Sequence, residues 1–272
     1  MQHHLPLWRS RGFSLVGILI SMAIMVVLFA LLMTSLNKAV TGQGSAVQGT
    51  VRSVQDEWYL TALFQSIIAH SVDTKGERFL TPSEVSGSKD VSQNTTANVY
   101  SAMVMKNYTS CHQLISGNEY SGSVQEKTDY DMTAYNPSQK VYWDTTFVAD
   151  LSDLSNVSFA HEPLHGDRFT QHWKNALSSS FPVLGNRGPK DGADNPQSYT
   201  YGRNGQWGGH LCFGDGHVSY VDSFTPNGLT YSVRGDIKPD NIFKVDAGFD
   251  GPDAVLAFTQ RMLKAGPMLQ WD

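Results

Sequence analysis

The chain has 272 residues, a formal net charge of −5 and only two cysteines, Cys111 and Cys212. That length holds a sizeable core, and the negative balance gives no general attraction to nucleic acid or to an anionic membrane surface. Two cysteines allow at most one intramolecular bridge, and the sequence leaves both the bridge and a pair of free buried thiols open.

A short polar leader ends in Arg9-Ser10-Arg11-Gly12, and Phe13-Ser14-Leu15-Val16-Gly17-Ile18-Leu19-Ile20 follows at once. After Arg11 no charged residue occurs before Lys38. The stretch from Phe13 to Met33, about 21 residues, is enough helix to cross a hydrocarbon core of roughly 30 Å. Arg9 and Arg11 put the leader on the cytoplasmic side and the bulk of the chain outside it. A secretory signal would have a shorter apolar core followed by a small-residue cleavage site; here the small residue, Gly12, comes first.

This junction resembles that of type IV prepilins, whose leader is cut after a glycine by a membrane peptidase and whose new N-terminal residue, usually Phe, is methylated. The resemblance implies that residues 1–12 are removed, with Gly12 and Phe13 flanking the cut. It also implies a pilin-like α+β fold: a long N-terminal helix over 13–70, membrane-spanning in 13–33, packed on an antiparallel β-sheet head formed by 71–272. Partners implied are other pilin-like subunits through the N-terminal helix, the prepilin peptidase and membrane lipid, with no nucleic acid. The protein would be a single-pass cytoplasmic membrane protein with an extracytoplasmic head, reaching the periplasm or cell surface after assembly. Five residues into the processed chain the family normally has Glu, and here stands Gly17. That departure favours a minor or tip subunit over a major one.

Past the apolar segment, Val47, Val51, Val54 and Trp58, then Leu63, Phe64, Ile67 and Ile68, recur at helical spacing and are read as a core-facing stripe. Gly42, Gly44 and Gly49 suggest a bend or a locally melted segment. From Thr81 to Asn98, Ser, Thr, Gly and Asn dominate and predict surface loops. Strands are expected at Val99–Met105, Val141–Phe147, Leu211–Phe213 and His217–Val221, with Val157–Ala160 also reading as strand. A long loop is expected from Gly185 to Asn204. Three Asn-x-Ser/Thr sequons, at Asn94, Asn107 and Asn156, are weak glycosylation signals.

His161-Glu162-Pro163-Leu164-His165 formally reads H-E-x-x-H, which binds zinc when a helix puts both histidines on one face. Pro163 removes a helical hydrogen bond and disfavours helix at Glu162, so a catalytic metal site is not expected there. An anchored metal-dependent hydrolase using His161, Glu162 and His165 is nevertheless an alternative, as is an anchored binding module that never polymerises. Asp246, Asp250 and Asp253, spaced by Gly248 and Gly251, could offer oxygens to calcium, but the spacing is not that of an EF-hand. No nucleophile elbow or phosphate-binding loop stands out, so no enzyme activity and no cofactor are expected.

Phe213-Gly214-Asp215-Gly216-His217-Val218 reads as a hairpin, with Gly216 tolerating positive φ. It resembles the C-terminal signature of planctomycete-type prepilin-like proteins, which carry an H-x9-D-G motif. Phe213, Asp215, Gly216 and His217 carry the match. Ten residues before Asp215 the pattern wants His and the chain has Gly205; the nearest upstream histidine, His210, is too close.

Overall fold

The computed structural model describes residues 44–72, 74, 76–193 and 207–272, with side chains from Val51 onward. The leader, the Gly12–Phe13 junction, the apolar segment 13–33, Gly42 and Gly205 lie outside the described residues. The chain divides into two units, Met1–Thr50 and Val51–Asp272; of the first, only the opening of a helix is described.

Helix α1, Gly44–Val72, includes Gly49, so the chain is helical rather than melted at that glycine. Its buried face is Asp56, Leu60, Leu63, Phe64, Ile67 and Ser71. These recur three and four apart, as one side of a helix must. At its end Ser71 Oγ donates to the Ile68 carbonyl, and Thr74 donates its hydroxyl to the Ser71 carbonyl at 2.9 Å.

No helix among the described residues is long and apolar enough to cross a membrane. Arg52, Asp56 and Glu57 within the first turns after Thr50 are the physical reason for α1. This corrects the expected architecture of a membrane-spanning helix packed on a sheet. What is found among the described residues is a mostly β head with two further short α-helices, α2 at Pro82–Val85 and α3 at Thr96–Met105, several single 3-10 turns and a π-helical turn at Arg168–His172.

Helix α3 also corrects the strand expected at Val99–Met105 and the loop expected at Thr81–Asn98. Thr95 caps it by accepting from the Asn98 N–H at 3.3 Å, and Val99, Tyr100, Met103 and Val104 bury a helical face. Asn107 stops it in a left-handed conformation, φ 57°. Thr81, Ser83, Asn94 and Thr96, read as surface residues, are buried because they satisfy backbone: Ser83 N–H donates to Asn94 Oδ1 at 3.0 Å. The expected strand at Val141–Phe147 is a turn. Asp144 accepts from the N–H groups of Thr146 and Asp131 at 2.8 and 3.0 Å, which curls the chain locally.

The main sheet is antiparallel, in the order β1 (Phe159–His161), β2 (Pro182–Asn186), β3 (Gly209–Phe213), β4 (Val218–Val221). Strands β2 and β3 are buried throughout. The expected loop from Gly185 therefore begins two residues late, after Asn186. Two separate hairpins follow, β5–β6 (Thr230–Val233, Asp236–Pro239) and β7–β8 (Phe258–Leu263, Gly266–Gln270). In the first, Arg234 and Gly235 both take positive φ, the geometry that suits the right-handed twist of paired strands. The core includes an edge-to-face run from Phe64 to Phe79 to Trp173, with centroids 5.7 and 5.6 Å apart.

Candidate functional site: the motif hairpin, helix α1 and the buried charges

The resemblance-carrying motif forms the β3–β4 hairpin. Cys212 pairs with Val218, Phe213 N–H donates to the His217 carbonyl, and Gly216 N–H donates to the Phe213 carbonyl at 2.9 Å. The turn is thus one residue longer than Asp215-Gly216 alone, with Gly216 closing it in left-handed geometry, φ 90°. A Cβ on Gly216 would lie 2.7 Å from the Phe64 ring of α1. Asp215 accepts from the His217 backbone N–H at 3.1 Å, and its side chain meets His217 Nδ1 at 2.6 Å. Although burial raises the Asp215 carboxyl, these hydrogen bonds hold it below the ordinary carboxylate range. The His217 ring stacks on Phe213 with centroids 4.3 Å apart. The hairpin turn is set against α1 at Phe64.

The helix is tied to the head by a residue the sequence did not flag. Asp56 is fully buried; it accepts from Ser116 Oγ at 2.6 Å, Gly117 N–H at 3.0 Å and Asn186 Nδ2 at 3.0 Å. Asn186 Oδ1 in turn accepts from the His210 N–H on β3, and Ser53 Oγ lies 3.2 Å from His210 Nε2. The signal was present: Asp56 stands four residues before Leu60, on the same face as the buried apolar residues. The opposite face differs from expectation. Val51, Val54 and Trp58, read as core, are 62, 50 and 74% exposed. They follow one another at three and four residues, so they form one bare apolar stripe.

The H-E-x-x-H residues do not converge. His161 ends β1 fully buried, with Nε2 3.0 Å from Thr96 Oγ1 and Nδ1 2.7 Å from the Glu162 carbonyl. Burial pushes its ring down to about 4, so it is neutral at ordinary pH. Glu162 accepts from the Val255 N–H through both oxygens, and burial lifts its carboxyl well above the usual range against the pull of Arg168. His165 instead meets Asp250 at 2.9 Å near the surface. The three acidic residues of the C-terminal loop are likewise parcelled out: Asp246 to Lys244, Asp250 to His165, and Asp253 to Arg168. Among the described residues no three His, Cys, Asp or Glu side chains are grouped to hold a metal ion.

A second buried ionic group joins Arg187 to Glu119 and Asp272. Its arginine follows Asn186 at the end of β2, so the strand places both the Asp56 partner and this cation. Cys111 and Cys212 are free buried thiols, and burial raises both above the ordinary thiol range. Of the three sequons only Asn107 is exposed. Asn94 and Asn156 are buried, and Asn156 bonds the Val148 N–H and the Gln125 carbonyl at 3.0 Å each.

No protein-family model matches the chain, and neither a curated protein nor a solved structure does.

Proposed function

We propose that this chain is a pilin-like structural subunit, minor or tip, of a type IV pilus-like or type II secretion pseudopilus filament. In this reading the prepilin peptidase cuts between Gly12 and Phe13. The apolar segment 13–33 holds the subunit at the cytoplasmic membrane before assembly, and the head lies outside. Sister subunits then meet through the N-terminal region.

The supporting observation is the stripe of Val51, Val54 and Trp58, C-terminal to the apolar segment in sequence and left bare on the side of α1 away from the Asp56 tie. Fully burying an exposed apolar side chain is worth roughly 1.5–3 kcal/mol, and covering these partly exposed ones gains a fraction of that each. The second support is local: the hairpin that carries the motif resemblance rests on α1 through Gly216 and Phe64. A hydrolase at His161, Glu162 and His165 draws no support from their geometry.

Two measurements on the full chain, co-expressed with processing and assembly machinery, test the reading. N-terminal sequencing should give Phe13 as the first residue. Trp58→Asp should abolish incorporation into filaments while changing the stability of the isolated subunit by less than about 0.5 kcal/mol, the range for exposed positions. A different N-terminus, or normal incorporation of the variant, defeats it.

A further inference from the structure

Inside the C-terminal part of the head, three buried carboxyl groups, Glu162, Asp240 and Asp253, lie in the field of one guanidinium. Arg168 is 1% exposed; its Nε donates to the Asp253 carbonyl at 2.7 Å, and its terminal nitrogens donate to the carbonyls of Phe249 and Gly248 at 2.8 and 3.1 Å. It also pairs with the Asp253 carboxylate and lies 4.0 Å from Glu162. Asp253 accepts further from the Asp246 N–H at 2.7 Å. The third carboxyl, Asp240, directly follows β6. Its Oδ2 accepts from the Ala254 N–H at 2.8 Å, whereas Oδ1, equally buried, has no hydrogen-bond partner among the described residues. The 246–255 segment is therefore curled around Arg168 on one side and bonded to Asp240 and Glu162 on the other.

With Glu162, Asp240 and Asp253 all ionised, Arg168 would leave two negative charges uncompensated in a water-poor interior, which is costly. The groups facing Asp240 offer little relief. Asp246 and Asp253 add repulsion, Arg168 is already engaged, Tyr231 is uncharged, and Lys244 pairs with Asp246. A bare buried oxygen costs far less as part of a neutral carboxyl than as a carboxylate.

We propose that Asp240 is a proton-held switch: its carboxyl is neutral in the folded head, and loss of that proton loosens the 246–255 segment bonded to it. Burial, with Asp253 and Asp246 adding to it against the Ala254 hydrogen bond, raises this carboxyl to about 7. Its value in the unfolded chain is about 3.9. The folded state thus binds the proton more tightly, and the stability this proton supplies is fully present below about pH 3.9 and lost as pH rises toward 7. The head is held closed by mild acid and relaxed at neutral to alkaline pH.

Equilibrium unfolding of the full chain and of Asp240→Asn at pH 5 and pH 8.5 tests the switch. Asparagine keeps the shape and cannot ionise. At pH 8.5 the variant should have a folded-to-unfolded ratio at least about tenfold above that of the unaltered chain, and the gap should shrink at pH 5. An equal gap at both values, or a variant less stable at both, overturns the switch. Independently of any variant, the carbon-13 carboxyl signal of Asp240 should titrate near neutrality. A midpoint in the ordinary aspartate range overturns it as well.

Discussion

Gly216 and Asp56 show what single residues contribute. A side chain at Gly216 would have to adopt φ 90° and push into the Phe64 ring. Gly216→Ala should therefore cost about 1–3 kcal/mol of unfolding free energy, measured by denaturant titration. A neutral outcome would mean that the hairpin can pull back from α1. Asp56 accepts from Ser116 Oγ, Gly117 N–H and Asn186 Nδ2 together. Asp56→Ala strands these three donors in a buried place and should cost about 2–4 kcal/mol, while Asp56→Asn should recover part of the loss. Equal loss in both variants would show that the charge, not hydrogen bonding, fastens the helix.

Among the elements, α1 has two faces of opposite fate, and periodicity alone does not tell them apart. Leu60, Leu63, Phe64 and Ile67 face the core; Val51, Val54 and Trp58 face outward. Both sets repeat at helical spacing, so a helix was legible but its orientation was not. Asp56 decides it, because a carboxylate is buried only where donors meet it. Helix α3 was hidden differently. Val99-Tyr100 reads as strand by residue type, yet the Thr95 cap and the spacing to Met103 and Val104 favour helix. The β3–β4 hairpin was legible because Gly216 and Asp215 carry turn chemistry in themselves. The effect of Trp58→Asp on incorporation belongs to this scale, since it asks what covers a helix face.

For the whole molecule, pH acts through opposing buried groups. Burial lowers His161 and His172 to about 4 and lowers His210. His161 and His172 are neutral in the fold and take up a proton near 6.5 when unfolded, so the stability they supply is complete above about pH 6.5 and declines as pH falls toward 4, and His210 acts in the same direction. Proton NMR should accordingly show the His161 and His172 ring signals titrating near pH 4; midpoints near 6.5 would contradict their burial. Asp240 and Glu162, both raised by burial, slope the other way and offset part of the histidine dependence. The difference between Asp240→Asn and the unaltered chain isolates one of them.

Taken alone, the sequence determined what depends on neighbours along the chain: the charge-free apolar stretch 13–33, a helix over the region of α1, the hairpin at Gly216, and the unsuitability of Pro163 for a zinc-binding helix. Such features follow from backbone sterics and local spacing. Only the tertiary structure decided that Val51 and Trp58 stay bare, that Cys111 and Cys212 remain apart as thiols, and that Asp56, Arg168 and Asp240 sit inside. Burial of a polar group depends on partners such as Asn186, 130 residues from Asp56, and no local pattern encodes where a distant donor will arrive.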